Sequence, residues 1–208
     1  QGEAADKAMT FGDKAGQAFN QVHEAIVAAG IAVALKEIYE YFASCAQASM
    51  DFESAITGVA KTTDLTDEEL AAMSDSIKAL STEIPATTEE IAAVAEAAGQ
   101  LGIQKDALLD FTEIMTMLGT ATNMTADEAA TALARFANIT GMATDNYGRL
   151  GSVIVDLGNN FATTESEIVA MGTRLASAGK LAGLTEPEIM ALAAAMSSVG
   201  IEAEAGGT

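Results

Sequence analysis

The sequence has one cysteine, one histidine, two prolines and no tryptophan among its 208 residues. Because Cys45 has no second cysteine to pair with, disulfides cannot organise the fold. His23 lacks the second imidazole or second cysteine that would complete a zinc site, so we expect it to be a solvent-exposed structural residue. Aromatic residues make up 5% of the chain, and this scarcity of rings and proline favours helices that pack through small side chains.

Basic residues are also few, with 10 lysines and arginines against 30 aspartates and glutamates and a formal net charge of −20. Binding to nucleic acid requires a clustered basic face, so this balance argues against a nucleic-acid partner. An anionic membrane surface is disfavoured for the same reason. We expect any partner that is guided by charge to offer a neutral or basic surface.

Long hydrophobic runs are absent as well. The most membrane-like stretch, AIVAAGIAVAL at residues 25–35, is followed by Lys36 and is shorter than the roughly 20 residues that cross a bilayer. No signal peptide or targeting motif is recognisable. The chain starts with Gln1 rather than methionine and ends with AGGT, and we expect it to be a fragment or processed product of a longer protein.

The sequence does contain repeated signals for helix starts. Five threonines are each followed three residues later by a glutamate, just before a run of periodically spaced apolar residues. The hydroxyl can accept a hydrogen bond from an unpaired backbone N–H, and the glutamate can reach back to the N–H of the threonine at the positive end of the helix. We therefore predict helix starts at Thr66 and Glu69, Thr87 and Glu90, Thr125 and Glu128, Thr164 and Glu167, and Thr185 and Glu188.

Glycines near the ends of the same runs supply the stop signals. Helices commonly end on a glycine in the left-handed conformation, and the predicted stops are Gly102, Gly119, Gly141, Gly158, Gly183 and Gly200. Weaker starts are predicted near Gln104 and Thr144. Together these signals predict about seven short helices between residues 65 and 200, with a step of about 20 residues from one start to the next.

Between these signals, apolar residues recur at spacings of three and four, which places each set on one helix face. The predicted buried stripes are Leu70, Met73, Ile77, Leu80 and Ile84; Ile91, Val94, Ala98 and Leu101; Leu108, Phe111, Met115 and Leu118; Leu133, Phe136 and Ile139; Leu150, Val153, Leu157 and Phe161; Ile168, Met171, Leu175 and Ala178; and Ile189, Leu192, Met196 and Val199. Residues 63–208 therefore form either an ordinary antiparallel helical bundle, which we favour, or an α-solenoid-like array of hairpins of about 40 residues.

Residues 1–62 differ from the rest, because no proline and no clear cap interrupts them. Apolar positions alternate four and three along this region, at Ile31, Leu35, Ile38, Phe42, Cys45, Ser49, Phe52, Ile56 and Val59. A sustained period of 3.5 residues is typical of a long amphipathic helix that supercoils with partners, including copies of itself. The alternative is a helix that packs only along the domain that follows, and the sequence does not decide between the two.

Side chains with catalytic potential are scarce. Cys45 lies on the apolar stripe, so we expect it to be buried as a small hydrophobic residue rather than to act as a nucleophile. The acidic pairs in TDEEL and TTEEI lie in first helical turns, where capping and the helix dipole account for them. Four of the ten methionines are expected to fill the core: Met73, Met115, Met171 and Met196. We therefore predict no catalytic residue, no cofactor and no metal site, and a soluble all-α scaffold or interaction protein rather than an enzyme.

Several phrases of the chain, taken in their order, resemble the core region of phage tail tape measure proteins. The matching phrases are DFE at Asp51 to Glu53, TDEEL at Thr66 to Leu70, PATTEEIA at Pro85 to Ala92, AGQLG at Ala98 to Gly102, and GIEAEAGGT at Gly200 to Thr208. The resemblance covers about residues 30–208 and rests on the series, since no single motif is diagnostic. Two departures are a missing phenylalanine near Pro85, which many members have, and residues 1–25, which match nothing in the family.

This resemblance implies a structural role without enzymatic activity. In that family a long, largely helical protein lies in the lumen of the growing tail tube, tube subunits assemble around it, and its length fixes the tail length. The implied partners are the tail tube protein, tail assembly chaperones and baseplate or tail tip proteins. The implied location is the virion, after assembly in the host bacterial cytoplasm, with help in genome delivery and transient membrane contact during ejection.

Two other functions stay open from the residues alone. A helical repeat scaffold or adaptor would grip a protein partner on a concave face, as solenoid proteins do. A membrane-active helical protein would expose residues 25–35 on insertion.

Overall fold

A computed structural model of the chain describes residues 20, 21, 24 and 32–203, and for residues 32–38 it describes the backbone only. Within these residues the protein is all-α, with eight α-helices and no strand, so the predicted all-α class is confirmed. Most of residues 1–31, the first half of the predicted long heptad-bearing helix, lies outside the described residues. The chain divides into two compact units, Gln1–Ala55 and Ile56–Thr208, which are described separately. His23 and most of the membrane-like stretch lie outside the described residues.

The helices after the first follow one another through short connections. Their bounds are α1 (Ala32–Thr62), α2 (Asp67–Glu83), α3 (Thr88–Gln100), α4 (Leu108–Ala121), α5 (Ala126–Thr140), α6 (Tyr147–Asn160), α7 (Glu165–Leu181) and α8 (Glu186–Ser198), with a single 3₁₀ turn, Thr144–Asn146, before α6. The seven helices from α2 to α8 match the predicted number, and they begin about 20 residues apart.

Helix α1 carries the part of the predicted heptad stripe that the structure describes. Burial along the stripe increases toward its C-terminal end, since Phe42 is 40% exposed, Cys45 is exposed and Val59 is fully buried. The expectation that Cys45 is buried is therefore wrong. A heptad stripe buries its side chains only where a second helix covers it, and the turn that carries Cys45 leaves its thiol open to solvent. The last turns of α1, from Ile56 onward, belong to the second unit.

The five predicted helix starts are confirmed. At Thr66 the backbone N–H donates to Glu69 Oε2 at 2.9 Å, and the N–H of Glu69 donates to Thr66 Oγ1 at 3.3 Å. The same reciprocal pair is present at the starts of α3, α5 and α7. At the start of α8, both the N–H and the hydroxyl of Thr185 donate to Glu188 Oε2 at 2.8 Å. Each bond satisfies a backbone or hydroxyl group that the helix itself leaves unpaired.

The two weaker starts are displaced by a few residues. Helix α4 begins at Leu108 rather than near Gln104, and α6 begins at Tyr147 rather than at Thr144. Neither helix has a side-chain cap. Without a capping side chain to fix the entry, the chain makes a tight turn first, and the N–H of Ala107 donates to the carbonyl of Gln104 at 3.0 Å.

Four of the six predicted glycine stops are confirmed. The φ angles of Gly102, Gly141, Gly183 and Gly200 are 78°, 69°, 82° and 81°, which is the left-handed region that glycine enters without a steric cost. The residue after each glycine donates its N–H to a carbonyl five residues earlier, as in the 2.9 Å bond from Leu184 to Gly179. This is the Schellman pattern of helix termination.

Gly119 and Gly158 are not helix stops, and for these two the prediction is wrong. Gly119 lies in the last turns of α4 and Gly158 in the last turns of α6, and each faces the first residue of the next helix. A Cβ added at Gly119 would lie 2.7 Å from the backbone nitrogen of Ala126, and one added at Gly158 would overlap the side chain of Glu165. These glycines are required by the close approach of two helices and not by a left-handed backbone.

Two kinds of helix end therefore alternate along the second unit. Helices α3, α5 and α7 end at left-handed glycines, whereas α2, α4 and α6 end on an extended residue: Ile84, Thr122 and Phe161. Each extended end leads within three residues to the threonine that caps the next helix. The repeating unit is thus a pair of helices, about 40 residues long.

The helices of the second unit form two rows. In one row α2 packs against α4, α4 against α6 and α6 against α8, while in the other α3 packs against α5 and α5 against α7. Consecutive helices also pack across the rows, as α3 with α4 and α7 with α8. A helix that contacts its second neighbour along the chain in this way belongs to a stacked array. Of the two arrangements predicted, the contacts therefore favour the α-solenoid-like array over the bundle.

The core between the rows contains many small side chains, as the composition predicts. Alanines at positions 92, 95, 98, 129 and 130 are all fully buried. Most predicted stripe residues are buried or half-buried. The exceptions are five exposed residues: Ile139, Phe161, Ala178, Leu192 and Val199.

Helix α8 shows why these exceptions arise. It buries Ile189, Met190, Ala193 and Ala194, while Leu192 is 43% exposed. Because α8 is rich in alanine and apolar on both faces, the apolar period does not decide which face packs. Ile139 and Phe161 instead lie at helix ends, where the neighbouring helix no longer covers them.

Candidate functional site

One glutamate of each acidic pair in TDEEL and TTEEI forms a helix cap: Glu69 and Glu90. The carboxylate of Glu128 accepts the backbone N–H of Thr125 at 2.8 Å, and this bond lowers the pKa of Glu128. Backbone hydrogen bonds lower the pKa of two further capping glutamates in the same way: Glu167 and Glu188. These carboxylates are therefore ionised at neutral pH and hold the helix starts in place.

Glu69 has a second partner besides its cap. Its Oε1 lies 2.6 Å from Nζ of Lys105, while its Oε2 accepts the N–H of Thr66. The bond from Lys105 and then the bond from Thr66 lower the pKa of Glu69 to about 2, and the same ion pair raises the pKa of Lys105. The pair ties the start of α2 to the connection between α3 and α4.

The remaining residues considered for chemistry are dispersed. Met73, Met115 and Met171 are buried as predicted, and Met196 is half-buried. Among the described residues, no group of three or more histidine, cysteine, aspartate or glutamate side chains is placed to hold a metal ion. None of the described helices has the length and apolar character needed to cross a bilayer.

A groove of about 600 Å³ lies on the second unit. Its walls come from α4 and α6, and one end is closed by the connection between α2 and α3. Ile114, Met117 and Leu118 line it from α4, and Gly148 and Gly151 line it from α6. Met117 is 50% exposed, so the groove presents an accessible apolar surface.

The polar lining residues of this groove are Glu83, Thr120, Ser152, Asp156 and Asn159, and no lysine or arginine is among its lining residues. Two of the hydroxyls bond to their own helices, since Thr120 donates to the carbonyl of Met117 at 2.8 Å and Ser152 donates to that of Gly148 at 2.9 Å. We call the apolar lining residues the floor of the groove, and the two carboxylates, Glu83 and Asp156, its rim.

The groove was not predicted from the sequence, although a signal for it exists. Ile114 and Met117 are large apolar residues that lie off the predicted stripe of α4, and Val155 lies off that of α6. An apolar residue off the buried stripe marks a second apolar face. The two apolar faces meet because α4 and α6 are neighbours in one row. The local sequence pattern does not reveal this arrangement.

Comparison with known families places the chain in one of them. The sequence model of the phage-related minor tail protein family matches residues 74–208. The chain belongs to this family. The matched residues begin within α2 and include α3 to α8.

Membership in this family makes the protein a phage tail protein and a component of the virion. The resemblance to phage tail proteins seen in the sequence is thereby confirmed at that level. No curated protein and no solved structure shows significant similarity to the chain.

Proposed function

We propose that this chain is the core region of a tail tape measure protein, a structural ruler around which the tail tube assembles. The observation that carries the proposal is the ordered series of motifs between Asp51 and Thr208, which lies largely within the match to the minor tail protein family. Each residue of an α-helix adds about 1.5 Å of length. The length of a helical chain is therefore proportional to its number of residues.

The proposed partners are those of an assembling tail. They are the tail tube protein in whose lumen the chain lies, tail assembly chaperones, and baseplate or tail tip proteins. The stripe on α1 supports self-association of several copies, because it continues a heptad pattern and exposes Phe42. In this proposal the protein is not an enzyme, binds no nucleic acid, and contacts a membrane only during ejection.

The array of seven short helices is not a continuous rod, and this bears on how a ruler works. We propose that the second unit either opens when the chain is stretched in the tube or contributes no length there. Its left-handed glycine stops, at Gly102, Gly141, Gly183 and Gly200, divide it into segments that can separate in turn. Force spectroscopy tests this: stepwise opening under load supports it, and a single opening only at high force contradicts it.

The experiment that tests the function is the intact mass of the native gene product, together with the identity of the proteins that co-purify from the same particles. A parent chain of many hundreds of residues that travels with tube and baseplate proteins supports the tape measure. A native chain of about this length with a single soluble partner contradicts it.

A second function, that of a helical scaffold or adaptor for a protein partner, is favoured by one observation. Stacked helical arrays expose continuous grooves that bind peptides and proteins, and the groove between α4 and α6 is of this kind. The two functions are compatible, since a tape measure must also recruit partners. The co-purification experiment separates them by the size of the native chain.

A further inference from the structure

We propose that the groove between α4 and α6 binds a basic amphipathic helix of another protein. The inference goes beyond the tape measure role and does not depend on it. Its basis is the combination of apolar lining residues from α4 and α6 with two carboxylates, Glu83 and Asp156, in the same groove.

The floor can accept apolar side chains. Met117 is half exposed, and Ile114 and Val155 line the groove beside it. A methionine side chain is flexible and polarizable, so it adapts to side chains of different shape.

Two glycines keep side chains off part of the α6 side of the groove. An added Cβ at Gly148 would contact Ile114 Cδ1 at 3.6 Å, and one at the buried Gly151 would contact the side chain of Leu118 at 3.4 Å or more. The glycines therefore let α4 and α6 pack closely beneath the groove. A partner helix that lies along the groove could place its apolar face on the lining residues, as in other helix-in-groove complexes.

The rim selects the charge of the partner. Glu83 stands at the end of α2 and Asp156 on α6, and within the described part of the chain neither forms an ion pair. The chain as a whole carries a formal charge of −20. A helix with lysine or arginine beside its apolar face would place a cation near each rim carboxylate, whereas an acidic helix, including a second copy of this chain, would be repelled.

The test uses the full chain and a probe peptide of about 18 residues, five helical turns, with leucine on one face and lysine on the other. Two matched peptides are a glutamate version and a version with serine in place of leucine. Methyl-labelled methionine NMR reports the site, since Met117 lines the groove while Met115 and Met171 are fully buried. We expect only the leucine and lysine peptide to shift the Met117 signal.

Two variants change the lining of the groove, one by adding a side chain and one by removing an apolar side chain. Gly148→Leu replaces a helical glycine by a better helix former and occupies the groove, so we expect affinity to fall about tenfold or more. Met117→Ser removes the exposed apolar contact and should also weaken binding. Ala72→Leu, which adds the same side chain to the exposed surface of α2, is the matched control and should leave affinity unchanged.

The charge of the rim is tested by the double variant Glu83→Gln and Asp156→Asn, with Glu68→Gln and Glu202→Gln as the control pair outside the groove. The rim variant should weaken binding of the lysine peptide more than the control does. The proposal is overturned if Met117 does not respond, if Gly148→Leu binds normally, or if the glutamate peptide binds equally well. A Met117 shift that depends on protein concentration alone would assign the groove to a second copy and also overturn it.

Discussion

Thr125 illustrates how single residues define the helices of this protein. Its hydroxyl accepts the N–H of Glu128 at 3.2 Å, and its own N–H donates to the Glu128 carboxylate at 2.8 Å. Within the described residues, the side chains of Thr125 and Glu128 form no hydrogen bond other than those of this cap. The loss of stability on removing such a capping pair can therefore be measured separately from the effect of disturbing the core.

Replacing Thr125 by alanine should lower the free energy of unfolding by about 1 kcal/mol, the usual cost of losing a threonine N-cap. Chemical denaturation followed by circular dichroism measures the change. Thr82→Ala is the control, because the Thr82 hydroxyl bonds only to the carbonyl of Ala79 in its own helix, and alanine is the better helix former. Equal destabilisation by both variants would contradict the capping role.

Glu69 provides a prediction about pH. Its pKa in the folded protein is about 2, below its ordinary value of 4.5. A carboxylate with a lowered pKa stabilises the fold above its unfolded pKa, and this contribution is lost as the pH falls toward the folded pKa. Glu69→Gln keeps the side-chain shape but removes the ion pair with Lys105.

We therefore expect Glu69→Gln to be less stable than the parent chain at neutral pH, and the gap to close as the pH falls from about 4.5 to about 2. Denaturation midpoints at several pH values measure this gap. Glu68→Gln, an exposed neighbour on the same turn, controls for the general loss of negative charge. A gap that stays constant with pH would rule out the ion pair as its cause.

At the scale of the elements, two helical glycines differ in how much space their surroundings leave for a side chain. Gly119 and Gly148 both lie in α-helices, but an added Cβ meets the backbone of Ala126 at 2.7 Å in the first case and only a side-chain atom at 3.6 Å in the second. The same substitution should therefore have opposite effects at the two sites.

Gly119→Ala should destabilise the second unit by about 1–3 kcal/mol, because α5 has to shift away from α4. Gly148→Ala should be neutral or stabilising by up to about 1 kcal/mol, because alanine is the better helix former and the space is free. Thermal unfolding of the two variants side by side measures the contrast. A stabilising effect at both sites would show that the helices do not approach as closely as described.

The same elements show how far sequence reasoning reaches. Capping pairs such as Thr87 and Glu90 act over three residues, so the helix starts could be read directly, and the left-handed stop at Gly141 follows from local conformation. The role of Gly119 could not, because it depends on a contact with the next helix. The exposed face of α8 was misassigned because an alanine-rich helix has no dominant apolar side.

The groove could be predicted only in part from the sequence. Its apolar residues, such as Met117, are visible in the sequence as departures from the buried stripe of α4. Their meeting with Gly148 depends on which helices share a row. That arrangement is set by packing between elements distant in sequence, so periodicity alone could not locate the site.

At the scale of the whole molecule, the proposed function gives separate roles to α1 and to the array of the second unit. In the proposed function, the heptad stripe of α1 would serve length measurement and self-association, and the stacked array of the second unit would recruit partners. The formal charge of −20 favours basic partners and disfavours adhesion to DNA. A tail protein that is both ruler and docking surface accounts for these features together.

Tail length measured by electron microscopy tests the ruler most directly. Phages would carry one, two or three extra in-frame copies of residues 35–55, which are three heptads of α1 and preserve its phase. If these residues are helical in the tail, each copy should lengthen it by about 32 Å, at 1.5 Å per residue. Assembled tails whose length does not change with the number of copies would contradict the account.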